Sequence, residues 1–210
     1  MIRNNIKYGA YLIVAACIST AHAGPKEDFF RAVANDADYA VADLLKAGFD
    51  PNTTAEDGQL GLTQAVRDNS AKVTAVLLAE PRTEIDGANR NGETPLMMAA
   101  LRGNLALARD LLARGAHVNR DGWTPLHYAA TGESTEMVVL LLDKGAVVDA
   151  RSPNGTTALM MAARYGAIDS ADLLVQRGAD RSLKNQRGLT AADFAASIER
   201  EALAARLRPQ

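Results

Sequence analysis

Catalysis and metal binding draw mainly on Cys, His, paired carboxylates and activated hydroxyls. This 210-residue chain has one Cys, Cys17, and three His: His22, His117 and His127. No H-E-x-x-H, G-x-S-x-G, P-loop or G-x-G-x-x-G string is present, so zinc-peptidase, nucleophile-elbow and phosphate-cradle chemistry all lack their spacing. A single Cys makes neither an intramolecular disulfide nor a cysteine-based zinc site. His117 follows Gly115-Ala116 in a loop and has no evident partners for holding a metal. The acids are numerous, yet their spacing suits turns and solvated helix faces better than an acid–base pair. Asp86, Asp149 and Asp180 recur at loop positions, where a short carboxylate is expected to accept local backbone hydrogen bonds. Neither a catalytic residue nor a cofactor or metal site is therefore expected. The chemistry left is that of a recognition surface, for which Trp, Tyr and Arg are the favoured anchors and Met the adaptable one.

Such a surface needs a scaffold, and composition narrows the choice. At 48% hydrophobic and 23% charged the chain is ordinary for a folded protein, but only 5% is aromatic. The core must be built from Leu, Ala, Val and Ile, which favours helices over a β-sandwich. A formal charge of -2, with no basic block, gives no field suited to a nucleic-acid backbone.

Residues 1–23 read as a secretory signal. Arg3 and Lys7 precede an apolar stretch from Tyr8 to Ile18, and Ala21-His22-Ala23 offers small residues to a signal peptidase. Cleavage is expected between Ala23 and Gly24, leaving a mature chain without Cys and a periplasmic or secreted location. The stretch is shorter than the roughly 20 residues that span a bilayer. A second route competes, because Val14-Ala15-Ala16-Cys17 resembles a bacterial lipobox. Lipidation of Cys17 would anchor the chain to a membrane.

The remainder is a repeat. The pairs Leu44-Leu45, Leu77-Leu78, Leu111-Leu112, Leu141-Leu142 and Leu174-Val175 recur at spacings of 33, 34, 30 and 33. Gly48, Gly115, Gly145 and Gly178 follow four of these pairs and are expected to close helices in the left-handed conformation. Pro81 stands in the second repeat instead, so that loop should differ. Helix starts are marked by Thr94-Pro95-Leu96, Thr124-Pro125-Leu126, Thr157-Ala158-Leu159 and Thr190-Ala191-Ala192, with Thr as N-cap and Pro pre-set for the first turn. The Ala pairs that follow let a second helix approach closely. Each unit reads as a turn, a short helix, a tight connection, a Leu-rich helix and a return loop. No unit buries both faces alone, so stability must come from stacking. The units are expected at 24–50, 51–85, 86–118, 119–148, 149–180 and 181–210, the last being degenerate. The first part is acidic, with eight acids and three bases from Gly24 to Leu60, and the last is basic, with six bases and three acids from Arg181 to Gln210. Solubilising caps and head-to-tail assembly both fit that polarity.

The spacing near 33, the string Thr124-Pro125-Leu126-His127-Tyr128-Ala129-Ala130 and the L-L-x-x-G-A strings resemble ankyrin repeats over essentially all of residues 24–210. The resemblance implies an all-α solenoid of five to six helix-turn-helix units with β-hairpin-like connecting loops. It also implies that His127 bonds back to Thr124. Departures stand out: Gly61 and Ala158 replace the usual Pro, and Thr63, Met97 and Met160 replace the usual His. The unit at Asn119 is three residues short, which should shorten its hairpin tip. Gly132-Glu133 replaces the inter-helix Gly seen at Gly103 and Gly166, which should shift that turn by one residue.

In ankyrin repeats the hairpin tips and the exposed side of the first helix form a concave binding face. Carried over by position, that face takes Glu56, Asp57, Gln59, Gln64 and Arg67 from the second unit, and Arg90, Asn91, Glu93, Met98, Leu101 and Arg102 from the third. The fourth supplies Arg120, Asp121, Trp123, Tyr128 and Thr131, and the fifth Pro153, Asn154, Thr156, Met161, Arg164 and Tyr165. Its expected centre comprises Arg90, Glu93, Met98, Leu101, Arg120, Trp123, Tyr128, Met161, Arg164 and Tyr165. Met98, Tyr128 and Met161 are equally suited to filling gaps between adjacent helices. The function implied is a non-catalytic module that binds another protein in the cell envelope as a monomer, as a helper or an immunity protein. An enzyme, or a carrier of metal, haem or another small ligand, is the alternative class.

Overall fold

A computed structural model describes residues 24–209. The signal-peptide and Cys17 expectations fall on residues 1–23 and lie outside the described residues.

Six helix pairs stack in chain order: α1 (Pro25–Ala34) with α2 (Asp38–Lys46), α3 (Gly61–Asp68) with α4 (Ala71–Ala79), α5 (Pro95–Leu101) with α6 (Leu105–Ala113), α7 (Pro125–Thr131) with α8 (Thr135–Asp143), α9 (Ala158–Arg164) with α10 (Ile168–Gln176), and α11 (Ala191–Ala196) with α12 (Glu201–Leu207). No strand occurs among the described residues, only one isolated antiparallel bridge between Thr54 and Leu60. Each expected unit contains one pair, and the odd-numbered helices pack in a row, α1 on α3 through to α11.

The helices start and stop as their residue types require. Thr94, Thr157 and Thr190 accept hydrogen bonds from the backbone N–H of Met97, Met160 and Asp193. Gly48, Gly115, Gly145 and Gly178 all lie near φ +90°, with empty space where a Cβ would stand, so backbone conformation alone calls for glycine there. The closing bonds run back to the paired apolar residues: the N–H of Ala116 donates to Leu111 O at 2.9 Å, and that of Gly115 to Leu112 O at 3.1 Å. In the second unit, where Pro81 stands, α4 instead ends in an extended Glu80. There Arg82 Nε donates to Glu80 Oε1 at 2.8 Å.

The core is one continuous stripe of small and aliphatic residues along the stack. Ala99, Ala100, Ala129, Ala130, Ala162 and Ala163 are fully buried between first helices. Gly166 shows how close the approach is: a Cβ there would lie 2.1 Å from Ala130 O. Gly61 has a similar cause, because a Cβ would meet the Phe29 ring at 2.6 Å. Phe29 packs between Phe30 and Phe49, with ring centroids 5.2 and 4.8 Å away. This aromatic plug leaves no room for the usual Pro at Gly61. Nothing in the structure explains Ala158 at the matching position.

The loops carry a correction. Asp86 and Asp149 do not cap their own turns. Asp86 Oδ1 accepts from the N–H of His117 at 3.0 Å, and Asp149 Oδ1 from that of Asp180 at 3.1 Å, each tying the start of its unit to the loop at the end of the same unit. Asn52 and Asn119 do the same, accepting from the N–H of Glu84 and Val147. Asp180 alone of the three acids acts locally, accepting from Ser182 N–H at 2.7 Å.

Candidate partner-binding face

The face is framed by the hairpin tips. In four of them the same two bonds recur, for example Asn89 N–H to Glu93 O at 3.0 Å and Gly92 N–H to Asn89 O at 2.8 Å. The sets at Ala55–Gln59, Ser152–Thr156 and Asn185–Leu189 match it. The fourth unit lacks this pair among the described residues, and its Asp121-Gly122-Trp123 segment is a bend, though Gly122 keeps φ +80°. The three-residue deletion thus shortens the tip as expected. The expected one-residue shift of the fourth inter-helix turn is not seen, since three residues join α7 to α8 as they join α5 to α6; what moves is the glycine. Gly103 takes φ +66°, whereas Gly132 caps α7 one position earlier in extended geometry. A Cβ on Gly132 would lie 2.8 Å from Leu101 O, so close approach and not handedness selects this glycine.

Behind the tips sits His127, fully buried. Its Nδ1 accepts from Thr124 N–H at 3.2 Å, and its Nε2 lies 2.9 Å from Thr156 O. A carbonyl only accepts, so the proton is on Nε2 and the ring ties the fourth unit to the fifth. Burial pushes its pKa below the usual histidine value. The resemblance implied the Thr124 bond but not the second one. Sister positions reproduce parts of the arrangement. Met97 and Met160 accept from Thr94 and Thr157 N–H through sulfur at 3.5 and 3.4 Å, and Thr63 Oγ1 donates to Gly87 O of the next unit at 3.0 Å.

The expected binding residues separate into three groups. Leu101 and Tyr165 are exposed, at 41% and 54%, and Trp123, Tyr128 and Met161 are half-buried against the core. Together with Thr131 and the edge of His127, Leu101, Trp123, Tyr128 and Met161 line a depression of about 280 Å³. Trp123 meets His127 edge to face, centroids 5.2 Å apart. The second group is already engaged within the protein. Tyr128 Oη donates to Glu93 Oε1 at 3.1 Å, while Asn89 Nδ2 donates to Glu93 Oε2 at 2.8 Å. Burial, together with the Glu93 carboxylate, pushes the Tyr128 hydroxyl up to about 12, so it stays protonated. Arg120 donates to Gly92 O at 2.6 Å and Arg90 to Glu56 O, each clasping the preceding tip. Arg164 donates to Ser197 Oγ at 3.0 Å and lies 5.3 Å from the Tyr165 ring centroid.

The third group is a correction. Met98 is 5% exposed and packs inside the stack, so it fills a gap between first helices and presents nothing to a partner. Gln59 and Thr156, also expected on the face, are buried as well. All three lie where the neighbouring unit covers them, an effect that single-unit register does not reveal. Among the described residues no group of three His, Cys, Asp or Glu side chains is placed to hold a metal, and no helix is long and apolar enough to cross a membrane.

Comparison with known proteins agrees with this architecture. The family model described as "Ankyrin repeats (3 copies)" matches residues 29–121 and 117–185, about three quarters of the chain. The chain belongs to the ankyrin-repeat family. Ankyrin repeats are protein-interaction modules, in general scaffolds and not enzymes. Among curated proteins it is 30% identical to Protein glp-1 of Caenorhabditis elegans over 181 residues, 79% of this chain and 14% of the relative. It is 33% identical over 152 residues to the nuclear factor NF-kappa-B p105 subunit of Gallus gallus, 69% of this chain and 16% of that one. The chain therefore spans about a seventh of these relatives' length. A solved structure, the Bd0816 predatory endopeptidase from Bdellovibrio bacteriovorus in complex with immunity protein Bd3460, contains a chain that superposes with a TM-score of 0.72 at 26% identity. The match covers 87% of this chain and 98% of that one.

Proposed function

We propose that the chain is a non-catalytic interaction module exported to the cell envelope, where as a monomer it holds another protein against its concave face. The observation that carries the proposal is the cluster of Leu101, Trp123, Tyr128, Met161 and Tyr165. All are partly exposed; the first four line one depression across three consecutive units, and Tyr165 caps the C-terminus of α9, the helix that carries Met161. Aromatic anchors at the centre of a contact surface supply most of the energy in protein association. Export is supported by the sequence of residues 1–23, with processing after Ala23 or lipidation at Cys17 as its two routes. A role in restraining a partner enzyme, as an immunity or helper protein does, is supported by the likeness to a chain of an endopeptidase–immunity complex that matches this chain nearly end to end.

Capture from a cell-envelope extract tests the proposal, with residues 24–210 as bait beside a Trp123→Ala, Tyr128→Ala variant. A protein retained by the unsubstituted bait and lost from the variant, with both baits giving the same helical circular dichroism, supports it. Equal retention by both baits counts against the concave face. The alternative of a small-ligand, metal or haem carrier is separated by absorbance and metal analysis of the purified protein, where a stoichiometric chromophore or metal would favour it.

A further inference from the structure

The row of even-numbered helices carries an opening that the concave-face reading does not use. Along it α6 and α8 pack less closely than α2 on α4 or α8 on α10. Between them lies a groove of about 550 Å³ whose floor is Leu112, Val118 and Leu140, all partly buried against the core. Val147, an apolar side chain left 55% exposed, borders it, because its N–H donates to the Asn119 side chain directly after Val118.

The free charge lining this groove has one sign. Arg109 on α6 and Lys144 directly after α8 line its two banks, and both are exposed. Neither is ion-paired among the described residues. His117 at the groove's end is already taken, its Nδ1 lying 2.6 Å from Asp86 Oδ2. Among the described residues no carboxylate lines the groove, and the nearest acids in sequence are committed elsewhere. Asp143 pairs with Arg177 at 2.8 Å, and Glu136 accepts from Ser134 Oγ at 3.2 Å. Asp110 lines the depression on the other flank of α6, where it shares the wall with Arg102, so that depression favours neither sign. Repeat register sets the spacing of the two cations. Leu111-Leu112 aligns with Leu141-Leu142, so Arg109 stands level with Val139 and Lys144 five residues farther along. That is about 7.5 Å along the axis and one helix spacing of about 8–10 Å across, a diagonal of about 12 Å. Residues seven apart on a helix are about 10.5 Å apart, and those three and four beyond the first lie between them on the same face.

We propose that this groove is a second docking surface, taking an acidic amphipathic helix of a partner protein. Two carboxylates of that helix, seven residues apart, meet Arg109 and Lys144, and the two apolar side chains between them rest on Leu112 and Leu140. The inference goes beyond the concave-face reading and does not depend on it, because different residues line the two surfaces.

The probe is acetyl-Ala-Gln-Ala-Ala-Glu-Ala-Ala-Leu-Leu-Ala-Ala-Glu-Ala-Ala-Gln-Ala-amide, used beside the same peptide with Gln for both Glu and with Lys for both Glu. Backbone amide NMR shifts of the full chain, labelled with nitrogen-15, follow the titrations. The Glu peptide is expected to give saturable shifts at Leu112, Ala113, Leu140 and Lys144 and none at Leu101 or Trp123. It should bind about tenfold tighter than the Gln peptide, and the Lys peptide should not bind. Arg109→Glu with Lys144→Glu should abolish binding with circular dichroism unchanged, whereas Trp123→Ala with Tyr128→Ala should leave it intact. Should the charge-reversed variant lose helicity, Arg109→Gln with Lys144→Gln decides, by bringing the Glu and Gln peptides to equal affinity. No saturable shift with the Glu peptide, equal affinity for Glu and Gln peptides in the unsubstituted chain, or shifts centred on Leu101 and Trp123 overturns the proposal. Vesicles of phosphatidylcholine and phosphatidylglycerol supply the remaining arm. Perturbation of the groove amides by these vesicles, with none from the Glu peptide, would assign the groove to a lipid surface and overturn the helix.

Discussion

His127 shows how much one side chain does in a repeat that could have dispensed with it. Its ring closes the Thr124 turn and bonds to Thr156 of the next unit, and the first of these bonds, with Nδ1 as acceptor, requires the neutral ring. Because burial lowers its folded pKa, the unfolded chain takes up the proton first as pH falls. The stabilisation from neutral His127 is thus complete above the unfolded value near 6.5 and is lost as pH drops below that value through the lowered folded one. Urea unfolding between pH 7.5 and 5 should show this loss, with a slope approaching about 1.4 kcal/mol per pH unit at its steepest. His127→Met, which copies Met97 and Met160, should flatten the profile over that range at a cost of about 1–3 kcal/mol at pH 7.5, from the lost inter-unit bond. An unchanged slope in the variant would place the titration elsewhere. The string Thr124 to His127 made the first bond legible in the sequence, because the residue types and the three-residue spacing define it. The second was not legible, since Thr156 is 29 positions away and its carbonyl carries no side-chain signature. Met98 failed for a related reason: its place in one unit resembles an exposed site until the neighbouring unit covers it.

At the scale of the helix pair, glycine serves two separate demands, and substitution distinguishes them. Gly115 ends α6 at φ +92° with open space around its Cβ position, so Gly115→Ala should cost only the left-handed penalty of about 1–2 kcal/mol. Gly166 takes no positive φ, but a Cβ there would overlap Ala130 O of the preceding unit. Gly166→Ala should therefore force the fourth and fifth units apart and cost more, about 3 kcal/mol or above. Equal losses in urea unfolding would show that the units can shift to accommodate a methyl group. Helix starts and stops were readable from Thr, Pro and Gly because they are local. The Asp86 and Asp149 bonds to the next loop were not, because local capping and loop-to-loop bonding use the same residue types and only the folded geometry separates them.

Across the whole molecule the repeat spacing near 33 residues specifies the solenoid, and the exceptions to it decide where the surface is distinctive. The 30-residue step at the fourth unit shortens one tip, beside the units that carry Leu101, Trp123 and Met161. The ends keep their opposite polarity: Asp28 pairs with Arg31 and Asp43 with Lys46, which leaves six of the eight acids of the first end without an ion pair among the described residues, and Arg206 pairs with Asp172 of the fifth unit. Exposed charges attract weakly and salt screens them, so light scattering should report a monomer at both low and high salt, and association confined to low salt would revive end-to-end assembly through the caps. The central claim is that the face spanning the third to fifth units is what a partner grips. Its most direct test is the dissociation constant of the captured partner for the unsubstituted chain and for the Trp123→Ala, Tyr128→Ala variant, measured by calorimetry. A weakening of about thirtyfold or more, the scale of hot-spot loss, is the result expected. A change below about twofold in a variant of unaltered helicity would contradict it.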